Sequence, residues 1–322
     1  MATAGGARGP AECAGANQAG ILRAAGSRYR SLTGKHSGSL VRPLFSLIIM
    51  AMNALLLILY AAAGVAYAVQ FTRRTFATSR VATVLLVVAA FAHTFVIGME
   101  TMRVGHVPFS SATSFILTFV WLLALSYLYL ELTTGERAMG VFILPLLVAL
   151  QAIPAFSAMN EPRSAILESP WFGVHVSSLL FAYASFALAG VLGITYVLQF
   201  KEIKAKDLGF FYDRLPSLNV LDEMNLRAVK IGWLFLTVGL ITGGIWASQL
   251  QPSTASASSM SLADPKIFVA VLCWAVYSFE LYAQRAIGWR GRRLAWLSAV
   301  GFGIVLLNFV PVSYFFTTSH NF

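Results

Sequence analysis

Long apolar stretches separated by short charged turns run along this chain from residue 44 to residue 316. They cover residues 44–71, 81–99, 111–130, 139–156, 171–200, 231–250, 267–284 and 294–316, and only the seventh carries a charge, Glu280. A helix needs about 20 apolar residues to cross a bilayer, and these runs are of that order. Short alternating segments, the signature of a closed β-barrel, are not the pattern here. Helices satisfy their own backbone groups in lipid. The expected fold is therefore an all-α integral membrane protein, a bundle of eight transmembrane helices spanning residues 43–322.

Residues 1–42 differ in kind. They are small, polar and basic, lack an apolar signal-peptide core, and read as a flexible N-terminal tail. Residues 208–230 mix apolar and charged positions, which predicts a short amphipathic helix lying on the membrane interface. Small residues recur in the fifth run (Ala184, Ala187, Gly190, Gly193) and the sixth (Gly239, Gly243, Gly244), a pattern that lets helix backbones approach closely.

Composition agrees with this class. The chain is 58% hydrophobic and 11% charged, against about 25% charged residues in a soluble domain. Its partners are then the lipid bilayer and membrane ligands; no nucleic-acid partner is expected. The two cysteines, Cys13 and Cys273, form neither a CxxC nor a CxxCH motif.

Charge also orients the bundle. One set of turns holds fourteen basic residues, from Arg73, Arg74 and Arg80 through Arg290, Arg292 and Arg293, whereas the opposite set holds Arg103, Arg163 and Lys266. The positive-inside rule places the first set in the cytoplasm and, with eight spans, both termini outside. Six tail residues reduce the contrast to fourteen against nine and leave its sign unchanged. Glu280 then falls near the cytoplasmic end of its helix, where it is expected to pair with Arg285 or reach water.

Histidines are the candidate chemistry. In this orientation His175, His320 and His106 lie at the outer surface, His93 in the outer half of the second helix and His36 in the tail. An imidazole is a good axial ligand for haem iron, and two from different helix ends can clamp one porphyrin. Trp171 lies four residues before His175, on the same helix face, and Ser178 and Tyr183 follow on that side. The bland alternative is an interfacial histidine in an aromatic belt.

Several blocks resemble the CcsA/ResC-type cytochrome c assembly proteins. WFGVHVSSLLFAYASFALAG resembles the family's W-x-x-x-H-V helix, through Trp171, His175, Val176, Tyr183 and Ala184. LDEMNLRAVKIGWLFLTVGLITGGIWA resembles its LDE-start helix ending in Gly-x-x-Trp-Ala. AHTFVIGMETMRVGHVPFSS resembles its second-helix His and outer R-x-G-H-x-P-x-S turn, through His93 and His106. Asp264-Pro265-Lys266 and His320 match further positions, so the resemblance runs over about residues 44–322 in the family's order.

The resemblance implies non-covalent haem b at the outer face, held by His175 and His320 as iron ligands, with Trp171, His93 and His106 as further cofactor-binding candidates. It also implies apocytochrome c and other maturation subunits as partners, and the bacterial cytoplasmic (inner) membrane as the location. Departures from the family pattern bear on activity. Its Trp-rich segment is replaced by SQLQPSTASASSMSLADPK, its inner-end His by Ala283, and its outer-turn Asn and Glu by Ser111 and Ser114. In these respects the chain resembles the HemX-like members, which lack the Trp-rich segment. The expected role is an accessory, haem-binding component of cytochrome c maturation rather than an enzyme on its own. The alternatives are a HemX-like regulatory scaffold that binds no haem and offers residues 208–230 to a partner, and a membrane haem b electron carrier.

Overall fold

The computed structural model describes residues 47–73, 76–109, 111–157, 169–206, 209, 212–249 and 265–307. The tail, the 253–263 loop and His320 lie outside the described residues. The described residues from Met50 onward belong to one compact unit.

Among the described residues all regular structure is helical. In chain order the helices are α1 (Leu47–Arg73), α2 (Phe76–Val104), α3 (Ala112–Thr134), α4 (Gly140–Phe156), α5 (Pro170–Ala205), α6 (Leu218–Gln249), α7 (Pro265–Tyr282) and α8 (Arg292–Leu307). Six of them, α1–α3 and α5–α7, are long and apolar enough to cross a membrane, α7 with its π-helical extension Ala283–Ile287. Helix α4 is apolar but has 17 residues. Helix α8 has 16 described residues, and the rest of the predicted eighth span lies outside them.

Helix α5 is the axis of the bundle. It packs against α3, α4, α6 and α8, and α7 joins through α6 and α8. Small residues explain the close fit. A β-carbon added at Gly193 would lie 2.5 Å from the Ala295 carbonyl oxygen of α8, so only glycine allows this approach. Phe186 of α5 stacks on Tyr277 of α7, with centroids 3.7 Å apart.

Two expectations are corrected. Residues 218–230 are not a separate interfacial helix but the first turns of α6. Leu221, Met224, Ala228 and Val229 are buried in the core, and no breaker stands between them and the membrane run. That burial removes much of the surface a scaffold reading would offer a partner. Glu280 neither reaches water nor shows an ion pair with Arg285. It is 1% exposed and accepts a hydrogen bond from the Ser298 hydroxyl at 2.5 Å.

Candidate functional site at one end of the bundle

The turn from α2 to α3 is built from local rules. Helix α2 stops at Gly105, whose φ of +88° favours glycine and whose N–H returns to the Thr101 carbonyl at 2.9 Å. Helix α3 starts on a capping box: the Ser111 hydroxyl accepts the Ser114 N–H, and the Ser114 hydroxyl accepts the Ser111 N–H. The Thr118 hydroxyl donates to the Pro108 carbonyl at 2.5 Å, which pins the turn to α3. His106 sits in this turn. Its Nδ1 lies 2.9 Å from the Val107 carbonyl, and its buried Nε2 has no hydrogen-bond partner among the described residues.

His175 is placed by two helices. Pro170 opens α5 at its first turn, where a missing N–H costs nothing. One turn further on, the half-buried His175 ring faces α6, and its Nδ1 lies 2.7 Å from the Gly239 carbonyl. A carbonyl only accepts, so Nδ1 carries the proton and Nε2 of the neutral ring keeps its lone pair. Gly243 makes room, since a β-carbon there would lie 2.5 Å from the ring.

The neighbouring rings form a chain. Trp246 is stacked on His175 at 6.5 Å with planes 19° apart, and Phe172 lies 4.8 Å from Trp246. Phe109 is 5.7 Å from Phe172, and His106 is 5.9 Å from Phe109. The structure thus brings His175 and His106 to the two ends of one aromatic cluster built from α5, α6 and the α2–α3 turn. Trp171 is 41% exposed, and the indole beside His175 is that of Trp246. An apolar cleft of about 440 Å³ opens beside α5, lined by Gly173, Val174, Ser177 and Phe181 together with Val107 of the α2–α3 turn and Phe235 of α6.

His93 has other surroundings. It is fully buried in α2, its Nδ1 lies 3.0 Å from the Tyr60 hydroxyl of α1, and its ring stands edge-on to that of Tyr60. Among the described residues no group of three or more His, Cys, Asp or Glu side chains is placed to hold a metal ion. Cys273 is a free, buried thiol. An imidazole nitrogen is the kind of donor that an axial position of haem iron takes.

Residues 48–320 match the family described as Cytochrome C assembly protein. The chain belongs to that family. Curated relatives named cytochrome c biogenesis protein CcsA carry the same similarity. That of Heterosigma akashiwo is 27% identical over 251 residues, 67% of this chain and 76% of the relative. Those of Guillardia theta and Synechococcus elongatus are each 26% identical, covering 73% and 67% of this chain and 83% and 79% of their own lengths.

This cytochrome c assembly family member also holds two buried polar clusters at the other end of the bundle. Glu131 of α3 is 1% exposed. It accepts hydrogen bonds from the Tyr67 hydroxyl of α1 and, at 2.5 Å, from the Thr83 hydroxyl of α2, and it lies 3.6 Å from Arg137. In the second, the Asn225 amide of α6 donates to Ser298 of α8 at 2.8 Å, and Ser298 donates to Glu280 of α7. Glu131 lies one residue beyond the apolar run 111–130, where nothing in the sequence singles it out. Only its tertiary neighbours reveal it as a junction of three helices. Glu280 was visible as the lone charge in its run, though not its partners.

Proposed function

We propose that this chain is an accessory, haem-handling component of cytochrome c maturation that binds haem b non-covalently at the outer membrane face. His175 and His320 are the proposed axial ligands, with His106 and His93 as secondary candidates. The observation that carries this reading is the Nδ1–H of His175 held by the Gly239 carbonyl beside Trp246. That bond presents Nε2 in its ligating form and sets the plane of the ring, which is how ligating imidazoles are usually oriented.

Each residue has a task. Gly239 holds a proton on Nδ1, and Gly243 keeps the space the ring occupies. Trp246, Phe172 and Phe109 supply flat apolar walls that exclude water and suit a porphyrin. When bound, haem supplies the vinyl groups that the cysteine thiols of an apocytochrome c would attack. This chain's share is binding and orientation. Other maturation subunits would complete the attachment, since the Trp-rich segment of the family is replaced here by residues of the 253–263 loop. The bacterial inner membrane is the proposed location, with both termini outside.

The test is purification of the full chain from a haem-rich membrane, followed by haem quantification and an absorption spectrum. The expected result is a low-spin, bis-histidine spectrum that is lost or becomes high-spin in His175→Ala. His320→Ala should do less harm, and His36→Ala none. Haem-free wild-type protein, with both ligand substitutions silent, would refute the proposal.

A further inference from the structure

The turn between α7 and α8 forms a basic pocket that the proposed outer haem site does not use. Helix α7 runs into the π-helical segment Ala283–Ile287, closed by Gly288 at φ +74°. The sequence Trp289-Arg290-Gly291-Arg292-Arg293 then turns the chain into α8. Asp222 of α6 accepts the Gly291 N–H at 3.0 Å and ties the turn to the bundle. Gly291, at φ +63°, has no room for a side chain, because a β-carbon would overlap the Tyr196 hydroxyl of α5.

These contacts wall a cavity of about 990 Å³ whose lining includes Phe200, Asp222, Trp289, Arg290, Arg292 and Arg293. Its charges are not balanced. Glu223 pairs with Arg227, and Asp222 is engaged by the Gly291 N–H and faces Arg290. Arg292 and Arg293 form no ion pair among the described residues. Their guanidinium groups instead lie over the rings of Phe200, at 5.3 Å, and Trp289, at 5.4 Å. Stacking holds such a group in place while leaving its N–H fork free for an oxyanion. Both arginines also stand at the N-terminus of α8, whose backbone dipole favours negative charge.

The surroundings select the ligand. Ile287 lines the cavity and is 50% exposed, and Tyr282 and Trp296 beside the turn are 60% and 52% exposed. An apolar rim next to two unpaired arginines, at the basic end of a membrane bundle, suits a phosphate that carries acyl chains. We infer that this pocket binds the headgroup of an anionic phospholipid, its phosphodiester on Arg292 and Arg293 and its chains along the α7–α8 surface.

The test uses the full chain in a zwitterionic detergent, with retained lipid read by native mass spectrometry. The probes are phosphatidylglycerol, phosphatidylcholine of the same chains, and inorganic phosphate as competitor. Phosphatidylglycerol should be retained about tenfold over phosphatidylcholine, and R292Q/R293Q should abolish that preference, as for a site with two charge-assisted contacts. R73Q/R285Q, which removes two charges at the same end but outside the pocket, should keep it. If R292Q/R293Q does not fold, R293Q alone, which spares the Arg292–Phe200 contact, should lower the preference by at least about threefold. Equal retention of the two lipids, equal loss in the control variant, or displacement of phosphatidylglycerol by millimolar phosphate would each overturn the inference. The last outcome would assign the pocket to a soluble phosphate instead.

Discussion

Substituting Gly243 by alanine tests the placement of His175 with one methyl group. The added carbon would lie 2.5 Å from the imidazole Cε1 and Nδ1 atoms, well inside contact distance. The ring must turn away, and its 2.7 Å bond to the Gly239 carbonyl goes with it. Overpacking of this kind costs about 1–3 kcal/mol, and a polar bond between membrane helices adds about 0.6 kcal/mol. Gly243→Ala should therefore destabilise the bundle by about 1–3 kcal/mol, after allowance for the better helix propensity of alanine. The adjacent Gly244 has open space around it, with nothing within 4 Å of an added β-carbon. Gly244→Ala should fall within about 1 kcal/mol of zero, on the favourable side.

Reversible unfolding in mixed micelles measures both. A double-mutant cycle isolates the cause, since the Gly243→Ala penalty should largely vanish in a His175→Ala background. An undiminished penalty there, or an equal penalty for Gly244→Ala, would refute the placement of the ring in the α6 groove.

Further outcomes follow from the same structure. Glu131→Ala removes the acceptor of the Tyr67 and Thr83 hydroxyls and the carboxylate beside Arg137, which keeps its bond to Thr83, and should cost about 2–3 kcal/mol in the same unfolding assay. Glu223→Ala, which breaks an ion pair whose side chains are 57% and 33% exposed, should cost under about 1 kcal/mol. Reporter fusions after Lys206 and after Asn321 should report cytoplasm and exterior respectively, and reversed signals at both would invert the orientation. Replacing residues 253–263 with a Gly/Ser linker of equal length should leave haem content unchanged, and haem loss at normal protein levels would assign that loop a binding role.

The membrane helices were legible because an uncharged run long enough to span a bilayer has few alternatives. Their junctions were not. Residues 218–230 look interfacial in sequence because Asp222, Glu223 and Arg227 are charged. In the fold, Leu221, Met224, Ala228 and Val229 face α6's neighbours, and the charges are met locally by Gly291 and by the Glu223–Arg227 pair. The indole beside His175 shows the same limit. Helical spacing singles out Trp171 on α5, whereas the stacked ring is Trp246 from α6, a pairing that depends on how two helices cross. One sequence signal does bear on it: Gly239 and Gly243, four residues apart, open a groove on α6 in which the imidazole lies. Glu280 stood out as a lone charge, but its burial depends on Ser298 and Asn225 from two other helices.

The most direct test of His175 as a haem ligand is chemical rescue. His175→Gly removes the imidazole and leaves a space beside Trp246 that free imidazole can enter. The wild-type protein should be low-spin and six-coordinate, His175→Gly should be high-spin or depleted of haem, and added imidazole should restore the low-spin spectrum in the variant alone. A His175→Gly spectrum identical to wild type, or a wild-type protein without haem, would contradict the assignment.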